Sequence, residues 1–154
     1  MDVVILCGGL GSRLGEETIL KPKPMVKIGD KPILWHIMKY YSSYGYNRFI
    51  LPLGYKAQTI INYFQSKESS FFDTDEYTKW EVVLEDTGLN TLKGGRLKRV
   101  QKHVKTEVFH LTYGDGVCNV SIDTLVKFFK KNNRIGVLTA VHPPSRFGEI
   151  KILD

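Results

Sequence analysis

The segment VVILCGGLGSR, residues 3–13, decides the fold of this 154-residue chain. Its first five residues form a continuous apolar run, which is typical of a strand buried on both faces of a parallel sheet. The run stops at glycines, which permit a tight turn and let a ligand approach the backbone closely. A buried strand followed by a glycine-rich turn predicts the first strand–helix unit of an α/β protein.

The remaining sequence alternates strand and helix patterns. Further strands are predicted over residues 48–54, 80–85, 108–115, 135–142 and 148–154, and residues 66–79 are predicted to form a loop. Helices are predicted over residues 31–45, 56–65 and 122–132, the last with Ser121 or Asp123 near its start, and residues 94–104 are predicted to form a glycine turn leading into a helix. We expect one α/β domain over residues 1–154, with a mostly parallel, Rossmann-like sheet covered by helices on both faces.

Ligands of such sheets bind at the carboxyl ends of the strands. Two notable loops, residues 8–15 and 113–116, directly follow predicted strands at that edge. The organisation of the chain therefore predicts that these loops form the binding site.

Composition excludes several classes of protein. Apolar residues make up 42% of the chain and charged residues 25%, as in ordinary globular proteins. No apolar run approaches the roughly 20 residues of a membrane-spanning helix, and the N-terminus lacks the basic start of a secretory signal. Cys7 and Cys118 show neither CxxC spacing nor a disulfide pattern. We therefore expect a cytoplasmic protein with reduced thiols and no membrane partner.

The net charge of +6 has more than one interpretation. Basic residues cluster in KPKPMVKIGDK (21–31), KGGRLKR (93–99) and KKNNR (130–134), and scattered solvated lysines are an ordinary explanation. The first two clusters adjoin glycines, which favours an anionic small molecule. A nucleic acid partner is the least favoured hypothesis, because aromatic residues do not alternate with a basic stripe as a base-stacking surface requires.

The glycine-rich turn matches neither common phosphate loop. No Gly-Lys-Ser/Thr follows it, and the dinucleotide pattern G-x-G-x-x-G fits Gly9 and Gly11 but fails at Leu14. The glycines alone suit a simple turn as well as a ligand. Arg13 adds a guanidinium suited to bidentate phosphate contact, and Lys23 lies between two prolines that stiffen its backbone. Together these features predict a polyphosphate site.

Asp115 lies in YGDG, residues 113–116, at the end of a predicted strand. A carboxylate at this edge suits Mg²⁺, which proteins commonly hold by one or two carboxylates together with substrate phosphates. Aspartate is equally common in turns for its local hydrogen bonding. From the residues alone, the metal ligand and the turn aspartate are equally supported.

Three segments resemble the sugar-nucleotide pyrophosphorylases, a nucleotidyltransferase family. GGLGSRLGEETILKPKPM, residues 8–25, resembles the family signature G-G-x-G-[ST]-R-L with its downstream lysine. EDTGLNTLKGGRLKRV (85–100) and LTYGDGV (111–117), taken with the Lys-Pro-Lys-Pro, resemble the cytidylyl branch of the family. The resemblance covers nearly the whole chain and implies the fold of the nucleotide-diphospho-sugar transferases.

The resemblance also implies roles for individual residues. Arg13 would neutralise the leaving pyrophosphate, Lys23 rather than Lys21 would contact the phosphates, and Asp115 would bind Mg²⁺. The nucleotide-binding positions that it implies are Leu6, Gly8, Gly9, Leu10, Gly11, Ser12, Thr87, Gly95 and Arg96.

The reaction implied is transfer of a cytidylyl group from CTP to glucose 1-phosphate, which gives CDP-glucose and pyrophosphate. Catalysis would consist mainly of positioning and electrostatic stabilisation. Another nucleoside triphosphate or sugar 1-phosphate is an alternative substrate pair. Family members assemble into oligomers, so the resemblance also allows a homo-oligomer.

Length is the main departure from the family. Its members continue for roughly a hundred residues beyond this point, consistent with ordinary domain sizes. That part would supply a second metal carboxylate and most of the sugar subsite. We therefore expect a chain that is truncated at its C-terminal end, or alternatively a naturally short nucleotide-binding or regulatory protein without full turnover.

Overall fold

The computed structural model describes residues 1–10, 21–65 and 80–141. The chain divides into two compact units, Met1–Asn119 and Val120–Asp154. The elements, in chain order, are β1 (Asp2–Leu6), a 3₁₀ turn (Lys23–Met25), β2 (Lys27–Ile28), β3 (Lys31–Pro32), α1 (Ile33–Ser42), β4 (Arg48–Leu53), α2 (Ala57–Gln65), β5 (Glu81–Asp86), α3 (Lys93–Val100), a second 3₁₀ turn (Gln101–His103), β6 (Phe109–Tyr113) and α4 (Ile122–Asn132).

Strands β1, β4, β5 and β6 form one parallel sheet in the first unit, in the order β5-β4-β1-β6. Val3, Val4 and Ile5 of β1 are fully buried, as an apolar run in an interior strand requires. The parallel α/β fold expected from the sequence is confirmed. Strands β2 and β3 form a separate antiparallel hairpin.

The strand order places a topological switch point beside β1. The chain moves from β1 to β4 and β5 on one side, and β6 then pairs with β1 on the other side, with Leu6 opposite Tyr113. Ligands of open α/β sheets bind in the crevice outside the carboxyl ends of the strands at such a point. The loops that follow β1 and β6 border this crevice.

Helices cover both faces of the sheet. On one face, Val4 and Ile50 pack against Val100 of α3. On the other face, the ring of His110 in β6 contacts Tyr41 of α1, with centroids 5.3 Å apart. Alternating side chains along each parallel strand therefore serve two cores, which explains the continuous apolar runs.

Local signals explain the helix ends. Helix α1 begins directly after Pro32, and the chain turns away at Gly45, whose φ of 82° suits glycine. Helix α4 in the second unit is capped by Ser121, whose hydroxyl accepts a hydrogen bond from the Thr124 N–H. The serine is therefore the N-cap, and Asp123 lies in the first turn.

Two expectations need correction. Residues 135–141 form no strand, and Ile135, Leu138 and Val141 are exposed, because the run pairs with none of the described strands. An apolar composition favours burial but does not provide a neighbouring strand. The glycines of KGGRLKR do not precede α3, since Gly94 and Gly95 lie within its first turn. The predicted loop at 66–79 and the predicted strand at 148–154 lie outside the described residues.

Among the described helices, none is both long enough and apolar enough to span a membrane.

Candidate active site

A cavity of about 720 Å³ opens at the crevice between the ends of β1 and β6. This volume lies within the usual range of small-molecule sites. Its walls are residues 6–10 at the end of β1 and just beyond it, residues 89–93 between β5 and the start of α3, and Lys23, Pro24, Arg96, Tyr113 and Asp115. The predicted site edge and the observed cavity therefore coincide in the described part of the first unit.

Backbone hydrogen bonds hold the loop after β1 against its neighbours. The Cys7 N–H donates to the Pro52 carbonyl, and the Gly8 carbonyl accepts from the Tyr55 N–H, each over 3.2 Å. The Leu6 carbonyl accepts from the Gly114 N–H over 3.0 Å, which ties the loops after β1 and β6 together. Beyond these bonds, Gly9 and Leu10 are exposed at the cavity mouth.

Lys23 enters the cavity from a 3₁₀ turn that is bounded by Pro22. The turn Lys23–Met25 packs against α1, and Pro24 and Met25 are buried. The Met25 N–H donates to the Pro22 carbonyl over 2.8 Å, which closes the turn. The Lys23 side chain is consequently 20% exposed, whereas Lys21 is an exposed residue outside the cavity lining.

Asp115 meets Lys23 at the cavity wall. The Lys23 Nζ lies 3.3 Å from Asp115 Oδ2. Within the described residues, Asp115 accepts no backbone hydrogen bond, whereas Asp86 accepts the Gly88 N–H over 2.9 Å in an ordinary aspartate turn. Asp115 thus lies in a turn after β6, and its described partner is the Lys23 ammonium rather than a backbone N–H.

The chemistry of Asp115 fits one ligand of a hard cation. In the described part of the chain, no cluster of three or more His, Cys, Asp or Glu side chains could hold a metal ion by itself. Mg²⁺ commonly takes one or two carboxylates and fills its other positions with phosphate oxygens and water. A single exposed carboxylate beside a nucleotide-sized cavity is compatible with this kind of coordination.

Arg96 and Thr87 lie deeper than the sequence indicates. Arg96 is buried in the cavity wall, and its guanidinium hydrogen-bonds to the Thr87 hydroxyl and to four backbone carbonyls. Burial lowers the pKa of Arg96, although arginine keeps its charge in proteins. The Thr87 hydroxyl donates to the Leu53 carbonyl, and neither Thr87 nor Gly95 lines the cavity.

Sequence reasoning included Tyr113 in the loop predicted to form the site, but it missed the wall formed by residues 89–93. Lys93 was visible only as a member of a basic cluster. Its ammonium lies 5.2 Å from the ring centroid of Tyr113, a cation–π arrangement. The position of residues 89–93 in the sequence could have predicted this wall, because they follow a parallel strand whose carboxyl end lies at the same edge of the sheet. Gly11, Ser12 and Arg13 lie outside the described residues.

Comparison with known proteins gives consistent matches. Residues 2–154 match the family described as nucleotidyl transferase. The chain is 48% identical to the glucose-1-phosphate cytidylyltransferase of Salmonella typhimurium, over 99% of this chain and 65% of that protein. It is 39% identical to the probable glucose-1-phosphate cytidylyltransferase of Bacillus subtilis, over 100% of this chain and 65% of that protein. The chain thus spans about two thirds of the length of these relatives.

A solved structure is also similar to this chain in both sequence and fold. HddC from Yersinia pseudotuberculosis, complexed with GMP-PN, superposes with a TM-score of 0.63 at 35% identity. The match covers 83% of this chain and 53% of HddC.

Proposed function

The chain belongs to the nucleotidyl transferase family, and from this premise we propose that it binds CTP and serves the transfer of a cytidylyl group to glucose 1-phosphate. The products are CDP-glucose and pyrophosphate. The observation that carries the proposal is the Lys23–Asp115 pair beside the glycine loop at the switch-point crevice.

The choice of CTP and glucose 1-phosphate rests on the relatives. The relative at 48% identity is named glucose-1-phosphate cytidylyltransferase, and the relative at 39% identity is named probable glucose-1-phosphate cytidylyltransferase. The described cavity supports the nucleotide part of this proposal, because it combines exposed backbone at Gly9 with the cations of Lys23 and Lys93. Backbone N–H groups and ammonium groups are suited to phosphate oxygens.

The proposed chemistry is an in-line displacement at the α-phosphorus of CTP. A phosphate oxygen of glucose 1-phosphate forms the new P–O bond, and the bond from the α-phosphorus to the bridging oxygen breaks. Pyrophosphate leaves with the electron pair. Negative charge grows on the leaving group, so fixed cations that meet it lower the barrier. Lys23 and Arg13 are our candidates for these cations.

Asp115 is our candidate for the protein ligand of Mg²⁺. The ion, when bound with the nucleotide, supplies positive charge to the phosphate oxygens. The role of the protein is to orient the carboxylate at the cavity wall.

A cytoplasmic location agrees with the two cysteines, both of which are free thiols.

Calorimetry with Mg²⁺ and CTP, UTP, GTP or ATP tests the nucleotide part of the proposal. We expect CTP to bind most tightly, because groups that accept a hydrogen bond from the cytosine amino group would oppose a carbonyl oxygen in uracil. Equal affinities would overturn the base assignment. Preference for GTP would instead support the alternative that the substrates are another nucleoside triphosphate and sugar 1-phosphate. GTP is included because the similar protein HddC was solved with GMP-PN.

Turnover tests the rest of the proposal. Pyrophosphate release and CDP-glucose formation should be measured with CTP, glucose 1-phosphate and Mg²⁺. We expect both products to form in equal amounts and only when both substrates are present. Absence of both products would reject the transferase proposal, even if CTP binds.

A further inference from the structure

Arg96 occupies an unusual place for a basic side chain. It lies in the first turn of α3, where the helix dipole disfavours a positive charge. It is also 5% exposed, so its guanidinium has left bulk water. A buried cation of this kind requires compensating hydrogen bonds, and the carboxyl edge of the sheet provides them.

The terminal nitrogens of Arg96 join the ends of three strands. Nη1 donates to the Leu53 carbonyl at 2.6 Å, the Thr87 hydroxyl at 2.7 Å and the Gly88 carbonyl at 2.8 Å. Nη2 donates to the Gly8 carbonyl at 2.8 Å and the Leu89 carbonyl at 3.0 Å. Four terminal N–H groups thus face five oxygens, which come from the ends of β1, β4 and β5. The terminal N–H groups of Arg96, which a phosphate would need as donors, are therefore already hydrogen-bonded to the protein.

Two glycines make room for the guanidinium. A Cβ at Gly8 or at Gly54 would lie 2.3 Å from Arg96 Nη1, which is impossible without displacement. Neither glycine has a positive φ, unlike Gly29, Gly45 and Gly88. Space for the arginine, rather than backbone conformation, therefore explains glycine at both positions. Gly8 belongs to the cavity wall, so the arginine and the site share this residue.

We propose that Arg96 is a positioning residue, which clamps residue 8 and the loop after β5 in the conformation that receives the nucleoside. Its terminal N–H groups do not bind the triphosphate. This inference rests on the proposed nucleotide binding and assigns Arg96 an indirect part in it. The direct contact that family resemblance implies for Arg96 makes a different prediction.

A ligand series separates the two roles. Cytidine, CMP and CTP should be titrated into the wild type, Arg96→Lys and Arg96→Ala. Loss of the clamp disorders the nucleoside wall, so all three ligands should weaken by a similar factor, about tenfold or more for lysine, which cannot reproduce the planar fork. An effect confined to CTP, or growing steeply with phosphate number, would overturn the proposal.

A double-mutant cycle tests the clamp geometry independently. Gly54→Ala pushes on the guanidinium from outside the cavity lining, and it should weaken cytidine binding while Arg96 is present. In the Arg96→Ala background, the same change should have little further effect, because the clash is gone. Gly94→Ala, with nothing within 4 Å of the new Cβ, is the matched control and should bind like wild type.

The outcomes distinguish this inference from the proposed function. If the wild type binds no cytidine ligand, the assignment of CTP fails, and the series is repeated with the nucleotide that does bind. If the wild type binds a cytidine ligand but the effects of Gly54→Ala and Arg96→Ala on binding are additive, the proposed role of Arg96 is rejected. The proposed nucleotide binding is then retained. Circular dichroism of each variant at the assay temperature identifies unfolding, and Gly54→Ala supplies the test if Arg96→Ala does not fold.

Discussion

Lys23 and Asp115 lie 92 positions apart in the sequence, yet the Lys23 ammonium sits 3.3 Å from an oxygen of the Asp115 carboxylate. The lysine comes from a proline-bounded turn, and the aspartate comes from the loop after β6. Their side chains are 20% and 36% exposed, so water and ligands reach both groups. A pair of this kind can exchange its internal contact for one with a metal-bound polyphosphate.

Asp115→Asn should abolish Mg²⁺-dependent turnover without unfolding the protein. Asparagine has the same shape but is a much weaker ligand for a hard cation. Asp86→Asn is the matched control, because Asp86 forms an ordinary turn with Gly88 and asparagine serves such turns well. Pyrophosphate release across a Mg²⁺ titration measures the effect. Near-wild-type turnover of Asp115→Asn would remove the metal role.

Lys23→Ala should lower kcat/KM for CTP by at least about a hundredfold, the scale of losing one preorganised electrostatic contact. Lys21→Ala alters the same Lys-Pro-Lys-Pro segment at an exposed position and should change kcat/KM less than about twofold. Steady-state kinetics on both variants makes the comparison. Equal losses would show that the segment matters through its overall charge rather than through Lys23.

Arg13→Ala should also lower kcat/KM by at least about a hundredfold if its guanidinium meets the departing pyrophosphate. Arg13→Lys should recover only part of this loss, because an ammonium cannot make the two-pronged contact. The measurement is kcat/KM with CTP for both variants. Full activity of Arg13→Lys would show that position 13 requires only a positive charge and not a two-pronged contact.

His110 should make the protein less stable in mild acid. It is buried against Tyr41 and Tyr46, and its Nε2 has no hydrogen-bond partner among the described residues. Burial lowers the pKa of His110 below its usual value. The unfolded chain therefore binds more protons, and the free energy of unfolding should fall as pH drops below about 6.5, by at most about 1.4 kcal/mol per unit.

His110→Phe isolates this contribution, because phenylalanine keeps an aromatic ring in the site but does not titrate. Urea unfolding of both proteins between pH 7.5 and 5.5 should give a shallower pH dependence for the variant. The slopes would be identical if other groups caused the acid sensitivity of the wild type.

The two cysteines should differ in reactivity. Cys7 is 1% exposed, and burial together with the nearby Asp115 carboxylate raises the pKa of its thiol, whereas Cys118 is exposed. Because the thiolate is the reactive form, iodoacetamide at neutral pH should label Cys118 alone in the native protein and both residues in denaturant. Mass spectrometry of peptides gives the answer, and rapid native labelling of Cys7 would contradict its burial.

The elements of the sheet could be predicted because their signals are local. The apolar runs of β1 and β4, and the serine before α4, indicate strand or helix without reference to distant residues. The run at 135–141 carries the same apolar signal but forms no strand, since pairing depends on a neighbour elsewhere in the chain. The same limit explains why the sequence could not reveal the burial of Arg96.

By itself, the sequence determined the α/β class, the edge of the sheet at which a ligand site is expected and the residue types available there. Hydrophobic periodicity, turn-forming glycines and the direction of parallel strands are sufficient for that. Only the tertiary structure decided that Lys23 meets Asp115 and that the Arg96 guanidinium lies between Gly8 and Gly54. Such contacts join residues as much as 92 positions apart, and they exist only once strand order and register have brought those loops to one edge.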